Sequence, residues 1–161
     1  MRILVLLFAC LSLNVLNAQT PAQNKAAVME FYKAFNGDFS KFDASRFVTA
    51  DLLDYSIPPE VWNQLGSDGV NRFQAAIGAY KNAFPDVHIK TLQVIAEGNT
   101  VMAYIEMTGT FKNDFMGITA TGMTFKIVDV DIVEFNSAGK AVAHWAVQDP
   151  MVMWAQLGVK M

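Results

Sequence analysis

The order of the hydrophobic patterns predicts an α+β domain in which helices come first and antiparallel strands follow. Three observations carry this prediction. Up to Phe84, apolar residues recur with the 3.6-residue period of helices. Beyond Pro85 the pattern changes to strand-like runs joined by short turns at Gly98-Asn99 and Asn136-Ser137-Ala138-Gly139. The two regimes are segregated, not alternating, which argues against a doubly wound parallel sheet. A chain of 161 residues, 53% hydrophobic and 17% charged, is long and apolar enough for one domain with a sizeable core. No internal repeat, low-complexity segment or linker divides it.

The first residues stand apart. Arg2 supplies a short positive region, and Ile3 to Phe8 and Leu11 to Leu16 form an apolar run too short to span a bilayer. Asn17-Ala18-Gln19 then offers a cleavage junction. Residues 1–18 are therefore expected to be a signal peptide and 19–161 a single exported domain, periplasmic or secreted. Leu7-Phe8-Ala9-Cys10 has the look of a lipoprotein box, but the apolar region before it is very short, so lipidation at Cys10 ranks below simple cleavage. Cleavage removes the one cysteine. The mature domain would then have no disulfide and no thiol chemistry, and its stability would come from packing. A net charge of −3 with no basic cluster gives no footprint for nucleic acid or for a membrane surface.

Taken in order, Thr20-Pro21 looks like a helix cap and first position, and Val28, Phe31, Tyr32 and Phe35 fall on one helical face that ends at Gly37. Asp43 is placed to cap a short second helix through Phe47 and Val48. The apolar segment from Ala50 to Tyr55 closes at Pro58-Pro59, with Trp62 in an irregular stretch beyond it. Ser67 or Asp68 caps a third helix carrying Val70, Phe73, Ile77, Tyr80 and Phe84, and Pro85 stops it. Val87 to Glu97 reads as a strand whose alternation slips near Thr91-Leu92, as a bulge would make it do. Val101 to Phe111 is the second strand, with Ile105, Met107 and Phe111 on one face. A loop rich in glycine and threonine leads to a long third strand, Met123 to Phe135. The fourth strand runs from the turn at Gly139 into a closing helix from Met151 to Leu157. On the third strand Ile127, Asp129, Asp131, Val133 and Phe135 share one face, and Val128, Val130 and Ile132 the other. Both faces are largely apolar, so both are expected to be covered, the second by another subunit in a homodimer.

Several chemistries lack their residues. There is no glycine-rich phosphate loop, no cysteine pair and no His-x-x-x-His spacing, and His88 and His144 lie far apart, so neither a metal nor a cofactor is expected. What remains is a mostly apolar cavity with a few carboxylates, one imidazole and tyrosine hydroxyls. Such a cavity suits proton transfer on a small organic molecule, or ligand binding alone.

An ordered set of short motifs then resembles the SnoaL-like polyketide cyclases, within the folds like nuclear transport factor 2. The motifs are Phe35-Asn36-Gly37-Asp38, Ala83-Phe84-Pro85-Asp86, Val94 to Asn99, Thr108-Gly109-Thr110-Phe111, Phe115-Met116-Gly117-Ile118 with Thr121-Gly122, Val130-Asp131-Ile132, His144-Trp145 and Gln148-Asp149. Together they cover roughly Lys25 to Val159. The resemblance implies a cone of curved antiparallel sheet, closed by the N-terminal helices around an apolar pocket. It also implies cofactor-independent ring closure next to a carbonyl, with the aspartate matching Asp149 as general acid/base. Two positions depart from the family pattern: Tyr55 and Phe111 stand where many relatives carry histidines.

The site expected on this basis has Asp149 and His144 as catalytic residues. Tyr55, Asp131, Trp145, Ile105, Met107, Phe111 and Trp62 would contact the substrate, a small apolar or aromatic carbonyl compound. Asp149 also precedes Pro150, so a helix cap is an equally natural role for it. On an ideal strand His144 and Asp149 point to opposite faces, and a bulge or the helix turn would be needed to pair them. Asp131, a carboxylate among apolar neighbours, calls for a cavity or a buried partner. The alternative to an enzyme of cyclase, isomerase or lyase type is an exported domain that binds an apolar molecule without turning it over.

Overall fold

The computed structural model describes residues 19–159, so the expected signal peptide and Cys10 lie outside the described residues. Helix α1 (Pro21–Asn36) starts at a capping box in which the Thr20 side chain accepts from Gln23 N–H and Gln23 reaches back to Thr20. Its buried face carries Asn24, Val28, Tyr32 and Phe35. Two one-turn 3-10 segments follow, Phe39–Lys41 and Ala44–Arg46, capped by the side chains of Asp38 and Asp43. The second helix expected from Asp43 to Val48 is thus a single turn, and Val48 already belongs to a strand.

That strand, β1 (Val48–Asp54), leads into a one-turn helix α2 (Pro59–Trp62), which buries Trp62. Helix α3 (Gly69–Ala83) is capped by Asp68, which accepts from Asn71 N–H. It lies so close to β1 that a Cβ on Gly69 would stand 2.7 Å from the Leu52 nitrogen, so only glycine fits there.

The remaining strands are β2 (His88–Glu97), β3 (Thr100–Thr110), β4 (Thr124–Phe135) and β5 (Ala141–Ala146), followed by helix α4 (Pro150–Gln156). The expected bulge in β2 is present as a register shift between Thr91 and Gln93. The β2–β3 hairpin turns at Gly98, whose φ of +56° is the left-handed conformation glycine adopts without strain.

The sheet has the order β1-β5-β4-β3-β2, is curved and does not close on itself. Its pairs are antiparallel except β1 with β5, which are parallel. The four strands read from the sequence pair antiparallel as expected, and β1 adds the parallel pair. The parallel pair joins segments some ninety residues apart, Val48 with Ala141, and local patterning carries no trace of such a contact.

Strand alternation divides the sheet into an inner face against α1 and α3 and an outer face. A cluster of rings at one end of the inner side, Phe84 with Phe111 and Phe125 and Phe111 with Trp154, is well buried. Removing such rings from water is worth roughly 1.5–3 kcal/mol each. On the outer face Ile95, Met102, Tyr104 and Val128 remain exposed in the single chain.

Candidate active site

Between the inner face of the sheet and the helices lies a cavity of about 610 Å³. Its wall is mostly apolar, with Leu52, Phe73, Ile77, Met107, Ile127 and Met153 among its residues. Polar groups enter it from five elements. Strand β4 contributes Asp129 and Asp131, which sit two residues apart on its inward face. Strand β5 contributes His144, and β1 contributes Asp54 directly beside it, because the parallel register pairs Asp54 with His144. Helix α1 contributes Tyr32, and α3 contributes Tyr80.

His144 stands between two carboxylates. Its Nδ1 is 3.1 Å from Asp54 Oδ2 and its Nε2 3.6 Å from Asp131 Oδ1. The first contact is off the angle of a good hydrogen bond and the second is too long for one, so both act as ion pairs. Burial alone would lower the imidazole pKa. Asp131 and Asp54 outweigh it and push His144 up to about 10, which leaves an imidazolium at neutral pH. Burial works to raise the Asp54 carboxyl, but His144 and the Ser56 hydroxyl and N–H hold it below the usual range. Asp131 also accepts a 2.6 Å hydrogen bond from the Tyr32 hydroxyl. Burial and the Asp131 charge push that phenol's pKa up, so Tyr32 remains a donor.

Asp129 is different. Its Oδ1 accepts three backbone N–H groups, from Val130 at 2.6 Å, Val147 at 3.1 Å and Gln148 at 2.8 Å. Among the described residues no group donates to Oδ2, which leaves that oxygen for the cavity. Burial, then the neighbouring Asp131 charge, raise this carboxyl above its ordinary range against the pull of the three N–H groups. Gln148 also lines the cavity, and its side-chain oxygen is buried without a partner.

Of the residues expected at the site, His144, Asp131 and Met107 line the cavity. Asp149 does not. It is exposed, and its carboxylate caps α4 by accepting from Met151 N–H at 2.9 Å. No bulge or turn pairs His144 with Asp149; the partners of His144 are Asp54 and Asp131. Tyr55 and Trp145 are also corrected. They follow the inward-facing Asp54 and His144 by one residue, so alternation turns them outward, where their rings stack 4.8 Å apart. Ile105 and Phe111 are fully buried in the core beside the cavity, and Trp62 is buried in α2; none of the three lines the cavity. Asp129, Asp54, Tyr32 and Tyr80 were not among the expected site residues. For Asp129 a signal existed, since it shares an apolar strand face with Asp131. The two tyrosines sit at helical spacing among core aromatics and carry no signal of their own. Among the described residues, no group of three or more histidine, cysteine, aspartate or glutamate side chains is arranged to hold a metal ion.

A curved sheet backed by helices around a cavity with an acid–base cluster defines a domain like nuclear transport factor 2. Residues 26–157 match the SnoaL-like polyketide cyclases, and the chain belongs to that family, which supports a small-molecule, polyketide-related enzyme activity. No curated protein matches the sequence. Among solved structures, TsrD from Streptomyces laurentii is similar at 22% identity and a TM-score of 0.72, covering 87% of this chain and 98% of its own. AclR from Streptomyces galilaeus, provisionally described as a hydroxylase, is 25% identical with a TM-score of 0.66 over 86% of this chain and 98% of its own. Wild-type IdmH from Streptomyces antibioticus, provisionally described as a polyketide cyclase, is 24% identical with a TM-score of 0.66 over 85% and 99%.

Proposed function

We propose that the cavity binds an apolar carbonyl compound and that Asp129 removes a proton next to the carbonyl, as in a ring closure or isomerisation without cofactor. The observation that carries this reading is the contrast between Asp129 and the cluster beside it. Asp54, His144, Asp131 and Tyr32 face one another, through two ion pairs to the imidazole and the Tyr32–Asp131 hydrogen bond. Asp129 keeps one oxygen free, in an apolar wall, with its pKa raised toward the range where a carboxylate is a better base. The imidazolium of His144 offsets part of the charge of three neighbouring aspartates, and its role is electrostatic. Family membership supports enzyme activity of this general kind. In this reading the base is Asp129, and Asp149 serves as a cap.

The reading can be tested before any natural substrate is known. Exchange of the acidic α-protons of 2-tetralone, an apolar ketone, is followed in D₂O by NMR. Wild-type protein is expected to accelerate exchange over buffer, and Asp129→Asn to lower the accelerated rate by about 10²–10⁴-fold. Binding of 2-tetralone without any acceleration would favour the second reading, a binding domain. That reading draws on Phe111, which occupies a family histidine position but is fully buried against Phe84 and Trp154, and so offers the cavity no polar group.

Export and assembly belong to the same proposal. Thr20 caps α1 two residues after Ala18, so cleavage at that junction would leave the cap in place. The exposed apolar outer face is the surface on which a second copy would pack.

A further inference from the structure

We propose that the Tyr80 hydroxyl is the donor that anchors the oxygen of the bound ligand, which makes the ligand a carbonyl compound and not a plain hydrocarbon. This rests on the cavity being the binding site, and it adds the group that sets the ligand's orientation.

Every other polar hydrogen offered to the cavity by a tyrosine or the imidazole is already directed at a carboxylate. Tyr32 donates to Asp131, and both nitrogens of His144 face carboxylates. Among the described residues the Tyr80 hydroxyl has no oxygen or nitrogen partner. It approaches two thioether sulfurs, Met107 Sδ at 3.3 Å and Met153 Sδ at 3.5 Å. Thioethers are weak acceptors, so the stronger hydrogen bond that a phenol can make is unused. A buried donor left with weak partners gains when a carbonyl oxygen arrives, since the cost of desolvating it has already been met.

The position fits the anchoring role. Tyr80, Met107 and Met153 all line the cavity. The ring is held from behind by Phe84, at 4.8 Å between centroids, and edge-on by Phe115 at 6.1 Å. A phenol fixed on two sides needs little further ordering to meet a ligand. Burial, then the negative charge of Asp129, raise the Tyr80 pKa, so the hydroxyl keeps its proton and can only donate to an oxygen acceptor. The same pairing states a mechanism. A carbonyl oxygen on Tyr80 would be polarised as Asp129 takes the α-proton, and the developing enolate oxygen would strengthen that hydrogen bond.

The experiment compares 2-tetralone with tetralin, its hydrocarbon counterpart, in wild type and Tyr80→Phe. The substitution removes one oxygen whose only partners are sulfurs, so the variant is expected to melt with wild type. Affinity for 2-tetralone should fall roughly threefold to tenfold, the worth of one net hydrogen bond, and affinity for tetralin should not change. The infrared carbonyl stretch of wild-type-bound 2-tetralone should lie below its value in hexane and return toward it in the variant. A bound carbonyl stretch at the hexane value in wild type overturns the proposal even if the variant does not fold. So does an equal loss for both probes, or no loss for either. Should neither probe bind wild type, the cavity reading fails and takes this proposal with it. Should both bind as expected while α-proton exchange is not accelerated, Tyr80 stands as the anchor and only the catalytic reading is lost.

Discussion

Two aspartates show how position decides chemistry here. Asp149 and Asp129 both accept backbone N–H groups, but one lies on an exposed helix end and the other in a cavity wall. For Asp149 the amide of asparagine caps about as well as a carboxylate, so Asp149→Asn should melt like wild type, and Asp149→Ala should lose roughly 1 kcal/mol. Neither should change α-proton exchange. A large loss of exchange in a folded Asp149→Asn would return the catalytic role to Asp149. The Asp-Pro pattern already displayed the cap, and alternation already placed His144 and Trp145 on opposite faces. Which face was the inner one did not follow from the pattern, because Tyr55 and Trp145 are as apolar as any core residue. Their outward stacking follows from neighbours whose partners lie far along the chain.

At the scale of elements, Asp54 on β1, His144 on β5 and Asp131 on β4 tie three adjacent strands through charge. Removing a partner from a buried pair strands the other charge, so the cluster holds the β1 edge as well as the site. The helices and four of the strands were legible because each repeats its own period within a few turns. Strand β1 was not, because its parallel partner comes after every other strand in the sequence, and the cluster depends on that pairing. Its contribution to stability has a definite pH sense. The folded state raises His144 from an ordinary 6.5 to about 10. Below pH 6.5 both folded and unfolded chains hold the proton, and the stabilisation is complete. Between pH 6.5 and about 10 the unfolded chain releases the proton while the folded chain keeps it, and stability is lost. Urea denaturation midpoints should therefore decline across this interval, and His144→Gln should remove the decline. A midpoint flat from pH 6.5 to 10 would show that the imidazole is not held as a cation.

On the scale of the whole molecule, the sheet has one face closed by helices and the other open. Ile95, Met102, Tyr104 and Val128 are each more than 40% exposed on that outer face, which is unusual for a sheet with so apolar a strand at its centre. A second copy packed there would cover it, and light scattering of the wild type should give about twice the chain mass at micromolar concentration. Val128→Lys, on the exposed side of β4, should shift the protein to monomer without loss of fold, since the lysine is solvated in the single chain but unpaired in the contact. A wild type that is already monomeric would contradict this. The cavity lies on the opposite side of the sheet, so a second copy packed on the outer face would not line it.

The pH profile of 2-tetralone exchange tests the role of Asp129 as the base most directly. Burial and the Asp131 charge hold the Asp129 carboxyl above its ordinary 3.8. The wild-type rate should rise as this group loses its proton, with an inflection above 3.8, and then level off. Asp129→Asn should be slow at every pH and show no inflection. An Asp129→Asn profile that matches wild type in rate and shape would contradict the account.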